Sequence, residues 1–487
     1  MNLNGMKTTS ILGLLCLILL PGVSRAQFPE DALRYSSPGL GVGARSLALG
    51  TAYTGIANDF SAVFWNPAGL GQIRTNEFSV GLSNLSAGDN STFFSNKGSF
   101  TNSSTTLNNL GLVYPFPTER GSLVFAVGYG RQADYTAGLS FSGFNPKSSI
   151  VQTWAPNGQP YPAELSFAEQ LFLAKADTSP ASPTYGKFLS PIRDSLTQSG
   201  KVLEGGGQNY FSLSGAVEAA KDFYLGMTLN FISGSYTYTR NYSEEDLLNV
   251  YHLYTPAYTS SDFKSLSLLE TIEADISGFS AKMGLLYKFG PSSRVGLTVK
   301  TPSWITVKET FTQSGTSTFD DPSGNSSADL GAQKNEYDVV TPFVLSGGFS
   351  YAIRDLMLAG DIEYTDWTQM EFRNAGAALL AYNTSIKEIF RPTANLKAGA
   401  EYEFSGIGLR VRGGFAYLPS PYRGDPASFD RKYITGGFGL VVQDAIAIDI
   451  GYAYGFWKSY RVNYDATSRV DEDITNSNLL GTVSYRF

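Results

Sequence analysis

From Ala445 the chain reads AIAIDIGYAYGFW. Ile446, Ile448, Ile450, Tyr452, Tyr454 and Phe456 fall on one face, and Ala447, Asp449, Gly451, Ala453 and Gly455 on the other. A period of two means a β-strand. Bulky apolar side chains opposite small or polar ones suit a wall with lipid outside and a lumen inside. The pattern recurs. Leu409, Val411, Phe415 and Tyr417 alternate with Arg410, Arg412, Gly414 and Ala416. Phe279, Met283, Leu285, Tyr287 and Phe289 alternate with Ser280, Lys282, Gly284 and Lys288. Fourteen such segments are expected, near 75–86, 107–116, 121–131, 208–220, 222–239, 271–289, 293–310, 335–352, 355–371, 389–404, 407–418, 430–442, 444–458 and 476–487. An even number closes an antiparallel barrel without an edge strand in lipid. The connections alternate between short (Pro117–Gly121, Lys221, Gly290–Ser292, Ile353-Arg354, Ser405-Gly406, Gln443-Asp444) and long (87–106, 132–207, 240–270, 311–334, 372–388, 419–429, 459–475). Short turns on the periplasmic side and long loops outside place Phe487 at the periplasmic end.

The first residues read as an export signal, 1–26. Lys7 supplies the positive charge, and Ile11 to Leu20 is an apolar run too short to span a bilayer as a helix. Ser24-Arg25-Ala26 offers a cleavage site that leaves Gln27 first. Cys16, the only cysteine, is preceded by Leu15, which does not suit a lipoprotein signal. The mature chain then has no thiol chemistry. Composition changes the picture little further: 51 Gly, 29 Tyr, 32 Phe and 16% charged residues suit a transmembrane barrel, and a net charge of −7 gives no pointer to nucleic acid.

The segment 27–73 does not alternate and holds the densest motif. Gly43-Ala44-Arg45-Ser46-Leu47-Ala48-Leu49-Gly50 is followed by Ala57-Asn58-Asp59, then by Val63-Phe64-Trp65-Asn66-Pro67-Ala68-Gly69-Leu70. Small residues permit close backbone packing, and Asn66 before Pro67 favours a turn. Arg45 and Asp59 can pair with each other or with lumen charges. The segment reads as a plug inside the barrel, residues 74–487 forming the barrel itself, so the fold class is all-β: a transmembrane antiparallel barrel of about 14 strands with an N-terminal plug.

This motif, GARSLALGTAYTGIANDFSAVFWNPAGL at 43–70, resembles the FadL/TodX family of outer-membrane transporters for long-chain fatty acids and hydrocarbons. The strand count and the terminal aromatic residue fit too. The family's Asn-Pro-Ala triplet falls on Asn66, Pro67 and Ala68, and its preceding acidic element on Asp59. The resemblance implies residence in the bacterial outer membrane and transport of hydrophobic molecules past the plug, with sideways exit through the wall into membrane lipid. Tyr485-Arg486-Phe487 resembles the signal read by the barrel-assembly machinery. The GAR…LG stretch is also similar to PorV-like barrels, adaptors in protein secretion, which is the alternative. A monomer is expected, and no cofactor.

Catalytic chemistry has little to work with. A nucleophile needs a base, and the one histidine, His252, lies in an expected external loop. One histidine and no mature cysteine leave no ordinary zinc site, and no metal is expected at Asp320-Asp321 or Glu244-Glu245-Asp246. Lumen charges remain: Lys282, Lys300, Lys397, Glu401, Arg410 and Arg412, joined by Lys288, Asp361, Glu363, Glu403 and Asp449. A two-residue turn at Ser405-Gly406 sets Glu401 opposite Arg410. These charges can brace wall and plug, or an unpaired one can meet a substrate carboxylate. Gly128 and Gly130, on the lumen face of the third strand, are candidates for a lateral opening, because glycine in a strand marks a bulge or a close approach. Ala163 to Ala176 and Glu245 to Tyr251 read as short amphipathic helices outside the membrane, as an apolar landing site or a lid.

Overall fold

The computed structural model describes residues 29–154, 163–183, 185–252, 262–443 and 445–487. The expected export signal lies outside these residues. Fourteen antiparallel strands close into a barrel: β1 (Glu77–Phe93), β2 (Asn96–Phe116), β3 (Leu123–Asp134, continued as Ala137–Asn145), β4 (Leu196–Ala220), β5 (Phe223–Glu245), β6 (Phe263–Phe289), β7 (Ser293–Lys300 and Trp304–Phe319), β8 (Ser326–Asp329, Gln333–Val340 and Val344–Ile353), β9 (Leu356–Asp366 and Glu371–Arg373), β10 (Pro392–Phe404), β11 (Leu409–Leu418), β12 (Arg431–Val442), β13 (Ile446–Val462) and β14 (Arg469–Arg486). β1 pairs with β14, Phe78 opposite Tyr485, and this closes the wall. The expected fold and strand order hold.

The alternation is realised as anticipated. Ile446, Ile448, Ile450, Tyr452, Tyr454 and Phe456 are exposed on the outer wall, while Ala447, Gly451, Ala453 and Gly455 are buried inside. On β1 the exposed apolar face runs from Phe78 to Leu82 and gives way to exposed Asn84, which marks the outer rim of the apolar belt there.

Several strands run further outward than the alternation showed. The expected loop 87–106 is mostly a hairpin, turning at Phe94 and Ser95, both in the left-handed region. Two breaks come from proline, which lacks the ladder N–H. Pro302 interrupts β7 and Pro342 interrupts β8. Threonine side chains close both gaps: Ala281 N donates to Thr301 Oγ1 (3.0 Å), and Ser303 N to Thr341 Oγ1 (2.8 Å).

Three apolar layers fill the barrel. At the mouth, helices α4 (Val151–Trp154) and α5 (Ala163–Gln170) press Val151, Trp154, Phe167, Ala168 and Leu171 against inner-wall residues such as Phe141, Leu268 and Phe319. The segment around 163–176 is therefore part of a lid, although Phe172 is exposed; α5 stops at Gln170, and Lys175–Ala176 pairs with Phe188–Leu189. Glu245 ends β5, and Asp246 to Tyr251 forms turns rather than the expected helix, with Leu247 and Leu248 exposed and Asp246 accepting from Val250 N and Tyr251 N. In the middle layer, α6 (Ala377–Ile389) buries Leu379, Tyr382 and Ile386 beside Ala32 and Tyr35 of the plug. The lowest layer is the plug itself.

Candidate functional site

The plug begins with α1 (Pro29–Ser36), continues through α2 (Ala44–Ala48) and α3 (Ala62–Trp65), and ends in a 3-10 turn, Pro67–Gln72. Its small residues let backbone meet backbone. A Cβ on Gly50 would lie 2.6 Å from Phe415 N of the wall, and one on the wall's Gly226 would lie 2.4 Å from Ala68 N.

Arg45 leaves α2 and pairs with the lumen, not with Asp59. Its Nε and Nη2 reach both oxygens of Glu401 at 2.8 Å, and its Nη1 reaches Asn58 Oδ1 at 2.8 Å. Glu401 also accepts from Arg412 (2.5 Å), which bonds Asp449 (2.6 Å). The plug is thus tied to β10, β11 and β13 by four alternating charges, nearly all shielded from water. The expected pairing of Glu401 with Arg410 is off by two residues. The turn holds four residues, 405–408, with Gly408 left-handed, so Glu401 faces Arg412 and Arg410 faces Glu403. Asp59 stays within the plug and accepts from the Tyr53 hydroxyl and the Ser61 N–H and hydroxyl.

Asn66 works in both directions. Its Oδ1 accepts Ala68 N and so caps the 3-10 turn in which Pro67 and Ala68 sit, while its Nδ2 donates to Thr54 O (2.9 Å) and to Leu285 O of β6 (3.0 Å). The capping logic is ordinary for asparagine. Asp361, expected to face the lumen, is a further anchor, and sequence reasoning missed the others. Asp361 accepts both Tyr53 N and Thr54 N (2.9 and 2.8 Å), Glu77 accepts Phe60 N, and Thr435, Thr228 and Ser350 donate to carbonyls of Ala48, Val63 and Gly55.

Of the other lumen charges, Lys397 pairs with Glu363 (3.1 Å). Lys282 donates to Phe64 O (2.6 Å). Lys300 lies over the Tyr210 ring and has no ion pair among the described residues. His252 is exposed and contacts Asn249 O. Glu244 is occupied by Ser149, Ile150, Gln198 and Tyr242, and Asp321 caps a short turn. Among the described residues no group of three or more His, Cys, Asp or Glu is placed to hold a metal. In the loop beside Glu244, burial pushes the Tyr464 phenol up from its ordinary value, which keeps it a neutral donor.

Gly128 and Gly130 both face the plug: added Cβ atoms would meet Phe60 Cζ at 2.5 Å and Val42 at 2.9 Å. They make room for it. The irregularity lies just beyond them. The β2–β3 ladder ends at Asn109–Gly130. Two bulges flank that end, one on β2 at Asn108 and one on β3 at Gln132. The plug fills the split. Gly39 N donates to Gln132 O (2.9 Å), Asn108 Nδ2 donates to Gly41 O (3.1 Å), and Gly43 N donates to Asn108 Oδ1 (3.1 Å). Leu82 opposes Leu107, so the split opens at the outer rim of the apolar belt. The bulges had no signature in the sequence beyond the glycines nearby.

The profile of the family described as outer membrane protein transport protein (OMPP1/FadL/TodX) matches residues 207–487. The toluene transporter TodX of P. putida is similar in fold, with a TM-score of 0.55 at 14% identity over 92% of this chain and 99% of that one. A Pseudomonas aeruginosa FadL homologue gives 0.56 at 14% identity over 92% and 99%. The monoaromatic hydrocarbon channel CymD gives 0.50 at 16% identity over 92% and 98%. No curated protein matches the chain.

Proposed function

This chain belongs to the OMPP1/FadL/TodX family of outer-membrane transport proteins, and on that premise we propose that it carries hydrophobic molecules, long-chain fatty acids or hydrocarbons, from the barrel mouth to the split between β2 and β3 and out into the membrane. The observation that carries this reading is the paired bulge at Asn108 and Gln132, stoppered by residues 39–43 of the plug. A bulge bends its strand and ends regular pairing. With one on each strand at the end of the β2–β3 ladder, the wall beyond is bridged by side chains, Ser104 to Asp134, Thr136 to Ser104 and Asn102 to Ala137 O, and the split itself is closed by three hydrogen bonds to the plug. A plugged lumen offers no free water path, so an apolar cargo gains by leaving sideways: each CH₂ kept from water is worth about 0.8 kcal/mol.

The test is a reversible lock. Gly39 N donates to Gln132 O at 2.9 Å, which makes the two residues backbone neighbours and the pair to cross-link, and the only native cysteine is Cys16. Uptake of oleate and of an alkylbenzene is measured in cells carrying Gly39→Cys with Gln132→Cys. Oxidation should suppress uptake and reduction restore it. Equal uptake in both states would close this route. No uptake of either ligand by the wild type would favour a secretion adaptor.

A further inference from the structure

The β6–β7 wall carries charges that a route for apolar cargo does not use. Lys282 of β6 stands directly opposite Lys300 of β7, and Lys288 directly opposite Arg294. All four face the lumen. Like charges directly opposed on one face repel, and the usual remedy is a carboxylate between them. Among the described residues none of the four makes an ion pair: Lys282 is held by a carbonyl, Lys300 and Lys288 lie against the rings of Tyr210 and Tyr224, and Arg294 makes no hydrogen bond, while Glu218 near Lys288 is bonded to Arg74. The nearby Glu363 is already taken by Lys397.

Between the two pairs the same strands have Gly284 and Gly296 on the lumen face, and here the plug touches the wall. A Cβ on Gly284 would meet Asn66 Oδ1 at 2.1 Å, and one on Gly296 would meet Thr54 O at 2.1 Å. The Asn66-Pro67 turn therefore sits between an upper cationic pair and a lower one near the periplasmic turn Gly290–Ser292. With the turn lifted from the glycines, four cations form one strip down the wall, with Gly284, Leu286, Gly296 and Thr298 between the pairs.

We propose that the β6–β7 wall is an anion lane gated by the plug. A small anion, carboxylate or inorganic, is held between Lys282 and Lys300 and passes to Lys288 and Arg294 when the Asn66-Pro67 turn leaves the wall. The lane is separate from the β2–β3 split and rests on the plug moving, not on the identity of the hydrophobic cargo. A lumen lined with one sign of charge selects the opposite ion.

The full chain is placed in planar bilayers across a KCl gradient, as wild type and as Arg45→Met, which loosens the plug and leaves the four lane cations in place. Openings should favour chloride over potassium by about threefold or more. Lys288→Gln with Arg294→Gln should bring that ratio close to one, while Lys458→Gln, an ion pair on the outer surface, should leave it unchanged. Exchanging chloride for acetate or phosphate in separate runs tells which anions pass. Non-selective or cation-selective openings, selectivity indifferent to the double substitution, or no openings in Arg45→Met would each overturn the lane. Folding of each variant is checked by its heat-modifiable migration, and Lys300→Met gives an independent arm: it should lower anion selectivity without touching the periplasmic pair.

Discussion

Replacing Arg45 by Met removes the plug side chain that forms an ion pair with the wall. The Arg45–Glu401 pair is 12% and 7% exposed at its side chains, so it is shielded from screening. Breaking a buried pair costs about 3–5 kcal/mol, because the surviving charge is stranded. Glu401 is not fully stranded here, since Arg412 stays 2.5 Å away. The lower end, about 3 kcal/mol, is the fair expectation. The remaining anchors onto Asp361, Glu77, Thr435, Thr228, Ser350 and Leu285 O are each worth about 1 kcal/mol, so together they still seat the plug. The unseated population should therefore rise by about two orders of magnitude without becoming dominant. In single-channel recording this reads as brief openings about a hundredfold more frequent than in wild type. The strand ladders do not involve Arg45, so thermal unfolding of the barrel should shift little. A double-mutant cycle with Glu401→Gln assigns the effect to the pair. Unchanged opening frequency, or a barrel that unfolds while the plug stays shut, would refute this account.

Three further outcomes follow from the same geometry. Gly128→Val should impair assembly or displace the plug, because its Cβ would lie 2.5 Å from the backbone oxygen of Leu110; normal yield and uptake would contradict the close approach. Lys300→Met removes a like charge directly opposite Lys282 and should raise the melting temperature slightly, by up to about 1 kcal/mol of stability, whereas a lowered melting temperature would mean Lys300 has a partner in the membrane. Ile386→Ala leaves a hole under α6 where the side chain is fully buried; a loss of about 2–5 kcal/mol should free the helix from the layer it packs on and speed proteolysis of 374–391 in intact cells, and unchanged cleavage would show that α6 is held otherwise.

The strands that meet lipid were legible because the bilayer imposes the alternation: Ile446 to Phe456 must be bulky outside, and lumen packing must be small inside. Above the apolar belt that constraint lapses. Apart from Phe93, which packs on Phe141, the residues of Ala87–Phe93 and Asn96–Thr106 are mostly small or polar on both faces, and the outer hairpin read as a loop for that reason. Helix α6 did carry a signal, Leu379, Tyr382 and Ile386 at helical spacing after Gly376, in a stretch taken as a long connection. The plug's charged residue could be singled out from its motif, but not its partner. Register across β10 and β11 hangs on whether the turn has two residues or four, and a shift of two moves Arg412 into the place assigned to Arg410 without changing the face.

The split and the lane make different demands on one plug. Residues 39–43 close the wall between β2 and β3 through three hydrogen bonds, all to bulged strands, and no ion pair contributes. Residues 44–73 are held by Glu401, Asp361, Glu77 and a series of wall hydroxyls. The free energy needed to release the first part is therefore a fraction of that needed to release the second. An apolar molecule at the split need displace only the weak part, and Arg45 keeps the rest seated while it does so. Passage past Asn66-Pro67 requires the strong part to move, which makes it rarer. On the proposed route this asymmetry would release apolar cargo sideways while the lumen stays closed to water, and it follows from where the charges stand rather than from the size of the plug.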